Sequence, residues 1–361
     1  MKIFFLMFFQ GIIILFAQAP KDNNCVTYIN THHGDQFVIS DSNSTSKPVG
    51  ASLIKAGIIL GLGAAGSFDE GMVESPAVWF DKKNQLFGMV YTGYNKSSSK
   101  GHIGLAWSKD LIHWEKDKRS PIFSPSGIEG TPDSASVTGP LIFFEGDTYY
   151  LFYIGCTNSG YEKGVKSLCM ATSKDLITWK RNSVNPIIAP NDKEWMSLAV
   201  YHPSIVKKGS TYYMFFNACG KDEKEQIGYA TTRSILGPWK VDDINSPVLK
   251  IGTKGSWEDG FIGDPSLYQF ENKWYLSYYG YSATTGKAYD GLAWTTEDKF
   301  PLGWEKYALN PVLSPGPELY DITYAHKPFI INYNGKHYHY YTAVGSGGRR
   351  IALAYELYNI R

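Results

Sequence analysis

Hydrophobic and polar positions follow a unit that occurs five times along the chain. Each unit contains a proline, and these prolines lie 62 to 64 residues apart: Pro76, Pro140, Pro203, Pro265 and Pro328. A short apolar strand follows the proline, then a turn rich in Gly, Asn, Asp or Lys, an alternating aromatic strand, and a third strand that ends in small residues. Short strands that repeat at a fixed period, with turn signals between them, are typical of propeller blades.

A tryptophan and a proline-led strand complete the first four units, whereas the fifth unit lacks that last strand. The tryptophans recur in the outer turns and are expected to pack between blades: Trp114, Trp179, Trp239 and Trp304. Residues 59–63 resemble residues 248–252, which contain the last strand of the third unit. We therefore predict an all-β, five-bladed β-propeller of four-stranded blades, in which an N-terminal strand near Ile59 closes the ring and leaves no open edge.

The first residues have the pattern of a signal peptide. Lys2 precedes an apolar run at residues 3–16, and residues 17–19 read Ala-Gln-Ala, a small-x-small cleavage site. The run is short for a transmembrane anchor, and the polar residues before Cys25 argue against a lipid anchor there. We expect cleavage near Ala19, export to the periplasm or the medium, and no membrane span in the mature protein.

The pattern divides the chain into three parts. These are a signal peptide at residues 1–19, a polar linker at residues 20–56 and the propeller domain at residues 57–361. The linker contains His32 and His33, which we interpret as part of a solvated loop rather than a metal site.

Composition bears on secondary structure, partners and disulfides. Aromatic residues make up 15% of the chain and charged residues only 19%, which favours strands over helices. The formal net charge is +1 without any run of Lys or Arg, so we expect neither nucleic acid nor an anionic membrane as a partner. Four cysteines are too few to scaffold an exported chain of this size, and Cys156 and Cys169 form either a disulfide or buried free thiols.

The repeat separates scaffold from site, because a residue type found in most blades is expected to be structural. An acid stands seven residues before the proline in four units: Asp69, Asp133, Glu258 and Asp321. This recurrence favours a structural role, in which the carboxylate binds backbone N–H groups where a loop enters the blade.

The residues directly before the prolines differ between units and include many ionisable groups. These pairs are Glu74-Ser75, Thr138-Gly139, Tyr201-His202, Gly263-Asp264 and His326-Lys327. The innermost strands of a propeller surround its axis, so these five strand starts are expected to meet at the mouth of a central funnel. Ionisable groups gathered there cost desolvation energy, which favours a functional site over an axial hydrogen-bonded cluster that holds a water or an ion.

Two outer turns share a seven-residue motif, SKDLIHW at residues 108–114 and SKDLITW at residues 173–179. Together with the five proline-led units, this motif resembles the five-bladed propeller glycosidases of glycoside hydrolase families 43, 62, 32 and 68, and more distantly those of families 117 and 130. The resemblance implies a carbohydrate substrate and cleavage of a glycosidic bond by a carboxylate acid/base pair in the funnel. It implies no required cofactor, with a structural Ca²⁺ held through waters near the axis as an open alternative.

The usual family 43 site does not carry over residue by residue, because its three acids correspond here to Ser75, His202 and Gly263. We expect a glycosidase acting on a plant or algal glycan, with the carboxylate pair at Asp264 and Glu74. Family 117 is known for a catalytic histidine, which adds two histidines to the candidates. The catalytic candidates are Asp264, Glu74, His202 and His326. The substrate-binding candidates are Asp69, Glu258, Tyr201, Lys327 and Trp257.

Two other functions remain open at this point. A propeller that binds sugar without cleaving it would account for the missing family 43 acids. A glycoside phosphorylase of the family 130 kind needs a basic phosphate site, which Lys327 and the pair Arg349-Arg350 would supply. Two arginines after Gly-Gly are, however, more typical of an exposed turn, and this is the location we expect for them.

Overall fold

The computed structural model describes residues 53–161, 163–334 and 336–357, and it is an all-β propeller. After β1 (Ile54–Leu60), the strands form five antiparallel groups, which we number as blades one to five. Blade one contains β2 (Met72–Asp81), β3 (Leu86–Tyr94), β4 (Gly101–Ser108) and β5 (Glu115–Lys116). Blade two contains β6 (Ser136–Glu145), β7 (Thr148–Cys156), β8 (Lys166–Ser173) and β9 (Lys180–Arg181). Blade three contains β10 (Ala199–Lys208), β11 (Thr211–Cys219), β12 (Glu225–Thr232) and β13 (Lys240–Val241). Blade four contains β14 (Phe261–Phe270), β15 (Lys273–Ser282), β16 (Lys287–Thr296) and β17 (Glu305–Lys306). Blade five contains β18 (Tyr324–Tyr333), β19 (Lys336–Gly345) and β20 (Gly348–Leu357).

The N-terminal strand completes blade five. Strand β1 pairs antiparallel with β20, and Leu60 lies opposite Ile351. Leu249 lies opposite Ile227 in the same way in blade three, so the strand predicted near Ile59 takes the outermost position of its blade. The strand begins at Ile54, inside the segment that the sequence assigned to a linker, because paired backbone extends further than the apolar pattern.

The repeated prolines lie within the innermost strands and do not begin them. Strand β2, for example, starts at Met72, four residues before Pro76. The pairing register shifts at every one of these prolines, as between Glu74 and Ala77, which is the mark of a bulge. The expectation of strands that start at the proline was wrong, because proline lacks the N–H needed for ladder pairing but fits at a bulge.

In four blades, an acid before the innermost strand contacts a tyrosine and a base on outer strands of the same blade. We call this set of three side chains the strand clamp. In blade two, Asp133 accepts hydrogen bonds from the Tyr153 hydroxyl at 2.9 Å and from Arg181 Nε at 2.7 Å. The equivalent clamps are Asp69 with Tyr91 and Lys116, Glu258 with Tyr278 and Lys306, and Asp321 with Tyr341 and Lys55. These acids bind side chains of their own blade. The backbone N–H partner that the sequence suggested is present at Asp321, which accepts the Gly316 N–H at 3.0 Å.

Blade three replaces the whole clamp with apolar residues. Met196 stands in place of the acid, Phe216 in place of the tyrosine and Val241 in place of the base. All three polar groups are lost together, because a buried carboxylate without its partners would be costly. The clamp is therefore part of the scaffold.

The outer tryptophans pack against the preceding blade, as predicted. The Trp114 ring lies 5.9 Å from that of Tyr340 in blade five. The corresponding pairs are Trp179 with Phe123, Trp239 with Phe152 and Trp304 with Phe215. Edge-to-face packing of this kind gives the seams between blades their apolar cores.

Three other expectations concern the cysteines, the N-terminal residues and a membrane span. Cys156 and Cys169 are buried free thiols. The predicted signal peptide, Cys25 and the pair His32-His33 lie outside the described residues. No helix in the described part of the chain has the length and apolar character that crossing a bilayer requires.

Candidate active site

The five residues before the prolines line a small cavity on the axis. These inner-ring residues are Ser75, Gly139, His202, Asp264 and Lys327. The cavity opens to solvent and has a volume of about 30 Å³, which is room for one or two water molecules. A larger ligand would extend above it, to the mouth formed by the residues one position earlier in the chain.

All five inner-ring residues have left-handed backbone, with φ values of 54°, 54°, 34°, 49° and 59° in chain order. Only Gly139 adopts this region without strain, and a residue before proline normally prefers extended backbone. Neighbouring blades help to hold it: the Asp264 N–H donates to Asn217 Oδ1 at 3.1 Å, and the Ser75 N–H donates to Thr342 Oγ1 at 3.0 Å. Backbone strain retained at four convergent positions is typical of functional sites.

Asp264 and His202 form a buried pair beside the cavity. His202 Nε2 lies 3.2 Å from Asp264 Oδ1. Burial, and then the charge of Lys327, lowers the pKa of His202 well below its usual value. The ring is therefore neutral at physiological pH, and the contact fits an N–H that it donates to the carboxylate.

Glu74 is almost completely buried among cationic and hydroxyl groups. Its carboxylate lies 3.4 Å from Lys327 Nζ and 3.3 Å from Arg349 Nη1, and it accepts a hydrogen bond from the Tyr161 hydroxyl at 3.2 Å. Two cations and one hydroxyl group therefore converge on this carboxylate and fix its position.

Arg349 is the side chain that connects Glu74 to His326. Its Nη1 also lies 3.0 Å from His326 Nε2, and its guanidinium covers the Tyr161 ring at 4.6 Å. Burial, followed by the charges of Arg349 and Lys327, lowers the pKa of His326 well below its usual value. The expectation of an exposed turn was wrong for Arg349, because β20 begins at Gly348 and directs this side chain across the seam onto blade one.

The structure divides the proposed substrate-binding residues into two sets. Lys327 lines the cavity, and Tyr201 lies at the mouth with the Lys166 ammonium 5.3 Å from its ring. Asp69 and Glu258 are bound in strand clamps, away from the cavity lining. Trp257 packs against Tyr278 and fills the space above two glycines of its own blade.

A calcium ion on the axis fits these residues poorly. Lys327 and His202 line the same narrow cavity as Asp264, and an ammonium group there opposes a second cation. Within the described ranges no group of three His, Cys, Asp or Glu side chains converges as metal ligands would.

The described part of the chain is a propeller whose axial mouth is lined by carboxylates, histidines and cations. The model of glycosyl hydrolases family 43 matches residues 134–299, and that of the β-1,4-mannooligosaccharide phosphorylases of family 130 matches residues 71–185. Rv1502, an uncharacterized protein of Mycobacterium tuberculosis, is 23% identical over 240 residues, which are 65% of this chain and 75% of the relative.

Several solved structures share the fold. A protein described as a glycoside hydrolase superposes with a TM-score of 0.68 at 22% identity, over 86% of this chain and 95% of that one. A thermostable family-43 glycoside hydrolase gives 0.60 at 19% identity, over 78% and 88%. A family 130 protein, from a group described as glycoside hydrolases that target β-1,2 mannosidic linkages in Candida mannan, gives 0.66 at 16%, over 88% and 97%. These matches place the chain in the glycoside hydrolase β-propeller superfamily and support a glycosidase, and they are divided between families 43 and 130.

Proposed function

We propose that the chain is an exported glycoside hydrolase that releases a sugar from a plant or algal glycan at the axial mouth. The observation that carries the proposal is the Asp264–His202 pair beside a water-sized cavity. The carboxylate of Glu74 lies at the same mouth, on the innermost strand of blade one. Glycosidic cleavage by water needs a carboxylate that accepts a proton from the water and negative charge near the sugar ring.

Asp264 takes the role of general base in this proposal. It lines the cavity, so a water held there lies within reach of its carboxylate. The neutral His202 fixes the orientation of that carboxylate through the 3.2 Å contact. Asp264 then accepts a proton from the water as the water oxygen attacks the anomeric carbon.

Glu74 takes an electrostatic role. The transition state of glycoside cleavage resembles an oxocarbenium ion, so positive charge develops on the sugar. Glu74 is held in place by Lys327, Arg349 and Tyr161 before the substrate arrives, and a charge fixed in advance stabilises the transition state without reorganisation.

Two single substitutions test the assignment. D264N and E74Q keep the shape of each side chain, and each is expected to lower turnover by about 10²- to 10⁴-fold, the usual contribution of such groups. D192N, in an exposed turn, is the matched control and is expected to behave as wild type. Near-normal turnover in both D264N and E74Q would contradict the assignment.

A phosphorylase is the second candidate, because Lys327 and Arg349 bring two cations to the mouth and part of the chain matches the phosphorylase model of family 130. Both cations already form ion pairs with Glu74, which favours water over phosphate as the attacking group. Turnover that requires inorganic phosphate and yields a sugar 1-phosphate would establish the phosphorylase instead. Saturable glycan binding without any product would indicate a sugar-binding propeller.

A further inference from the structure

One position near the start of the third strand holds a different residue type in every blade, although its pairing register is the same. These rim positions, each paired with the same position of the second strand, are Gly101, Lys166, Glu225, Ala288 and Arg349. Arg349 reaches over a seam to Glu74 of the next blade, and Lys166 reaches over a seam to Tyr201. Rim side chains therefore extend toward the mouth of the adjacent blade.

Glu225 makes the corresponding contact between blades three and four. Its Oε2 accepts hydrogen bonds from Asn217 Nδ2 at 2.8 Å and from the Tyr279 hydroxyl at 2.8 Å. Asn217 also accepts the Asp264 N–H, and the Tyr279 ring meets His326 edge to face at 5.9 Å. A single side chain thus separates Glu225 from Asp264, and another separates it from His326.

A glycine makes room for this arrangement. Residue 263 stands one position before Asp264, and a Cβ atom there would lie 2.4 Å from Asn217 Nδ2 and 2.7 Å from Tyr279 Cε1. Those are the two side chains that hold Glu225. A side chain at position 263 would displace them, so the second carboxylate beside the start of blade four is Glu225 of blade three.

The other ionisable groups at the mouth are poorly placed to donate a proton. Glu74 is paired with two cations. His326 Nε2 faces the Arg349 guanidinium, which has only donors, and His202 directs Nε2 at Asp264. Glu225 is half-buried, so solvent can return a proton to it after each turnover.

We propose that Glu225 is the general acid of this site. The inference rests on the proposed function and adds a residue to it. Glu225 gives its proton to the glycosidic oxygen as the bond from that oxygen to the anomeric carbon breaks, and the bonding electron pair stays on the oxygen. The water oxygen bonds to the anomeric carbon and its proton passes to Asp264, which releases it to solvent while Glu225 takes up another.

A leaving-group series tests this role. On an oligosaccharide, whose leaving alcohol needs protonation, E225Q is expected to lose about 10²- to 10⁴-fold in kcat/KM. On a dinitrophenyl glycoside, whose leaving group departs unprotonated, the loss is expected to stay below about tenfold because the proton transfer contributes little there. The alkaline limb of the kcat/KM pH profile, which reports the acid, should vanish in E225Q. E223Q, two residues earlier in an exposed turn, is the matched control and is expected to match wild type on both substrates.

Each outcome is informative. An equal loss on both substrates would mean that Glu225 only binds the sugar, and no loss would remove it from the site; either result overturns the proposal while the proposed function stands. Wild-type protein that releases no sugar from any substrate would overturn both. Comparing the thermal unfolding of E225Q with that of wild type distinguishes a folding defect from loss of the acid. In E225A, added formate should restore turnover of the oligosaccharide if the acid alone is missing.

Discussion

The buried pair of Asp290 and His339 gives a quantitative test of how the blades pack. Both side chains are fully buried, and His339 Nε2 lies 2.8 Å from Asp290 Oδ2 across the seam between blades four and five. The other blades place apolar residues at both positions. The counterparts of Asp290 are Ile103, Leu168, Ile227 and Ile351, and those of His339 are Met89, Leu151, Met214 and Leu276. The repeat itself therefore supplies the substitutions D290I and H339L.

The single variants should lower the free energy of unfolding, whereas the double variant should leave it unchanged or raise it. H339L leaves the Asp290 carboxyl buried without its partner, and D290I does the same to the His339 ring. Burial keeps both groups uncharged, and a buried polar group that loses its partner costs about 1–3 kcal/mol. Asp290 Oδ1 and His339 Nδ1 already lack hydrogen-bond partners among the described residues, so the pair is only half satisfied. Replacing both with apolar residues is expected to be nearly neutral or to stabilise the fold.

The pH dependence of stability follows from the same burial. Burial lowers the pKa of His339 from 6.5 to about 3, so the unfolded chain binds a proton that the folded one refuses, and stability falls as pH drops from 6.5 toward 3. Burial also raises the pKa of Asp290 well above 3.8, so the unfolded chain releases a proton that the folded one retains, and stability falls as pH rises from 3.8 through the raised value.

Denaturant unfolding from pH 4 to pH 8 measures these effects on wild type, both single variants and the double variant. The double variant should unfold at an equal or higher denaturant concentration than wild type and with less dependence on pH. A double variant less stable than either single variant would refute the reasoning, because it would show that the polar pair itself contributes net stability.

Three further predictions concern the clamp and the site. M196D should destabilise blade three by about 3–5 kcal/mol by burying an unpaired charge, and adding F216Y with V241K should recover part of that loss in denaturant unfolding. R349M should lower kcat more than it raises KM, because it loosens Glu74 without removing a sugar contact; the reverse pattern in steady-state kinetics would make Arg349 a substrate ligand. H202Q, whose amide can still donate to the carboxylate, should retain more turnover than H202L, and equal activities would contradict the orienting role of His202.

The scaffold could be predicted from the sequence because each blade repeats the same order of strands, turns and marker residues. The regular prolines, the strand near Ile59 and the outer tryptophans all follow from comparing one blade with the next. The recurring acids were predicted to be scaffold for the same reason, although Asp69 and Glu258 also stayed among the substrate-binding candidates. Their partners were not, because a tyrosine two strands away and a base four strands away become neighbours only when the pairing register is known.

Of the groups that the structure brings together at the mouth, Asp264, Glu74, His202 and His326 were named from the sequence because they lie next to a repeated proline. Arg349 was named only as part of a phosphate site, and Tyr161 and Glu225 were not named; all three reach the mouth over a seam. A signal for Arg349 and Glu225 was present, since one position near the start of the third strand changes type from blade to blade. Tyr161 lies in a loop outside the repeat, and no sequence pattern connects it to Glu74. The left-handed backbone before each proline contradicts the local preference of the chain and is imposed by neighbouring blades.

Hydrolysis at the axial mouth is the central claim, and the product formed in heavy-oxygen water tests it most directly. Wild type, D264N and D192N would be incubated with plant and algal oligosaccharides in phosphate-free buffer, and the released sugar analysed by mass spectrometry. We predict that wild type and D192N release a sugar that carries the heavy oxygen on its anomeric carbon. The amount released by D264N is expected to be lower by about a hundredfold or more. Release only when phosphate is added, or equal release by D264N, would contradict the account.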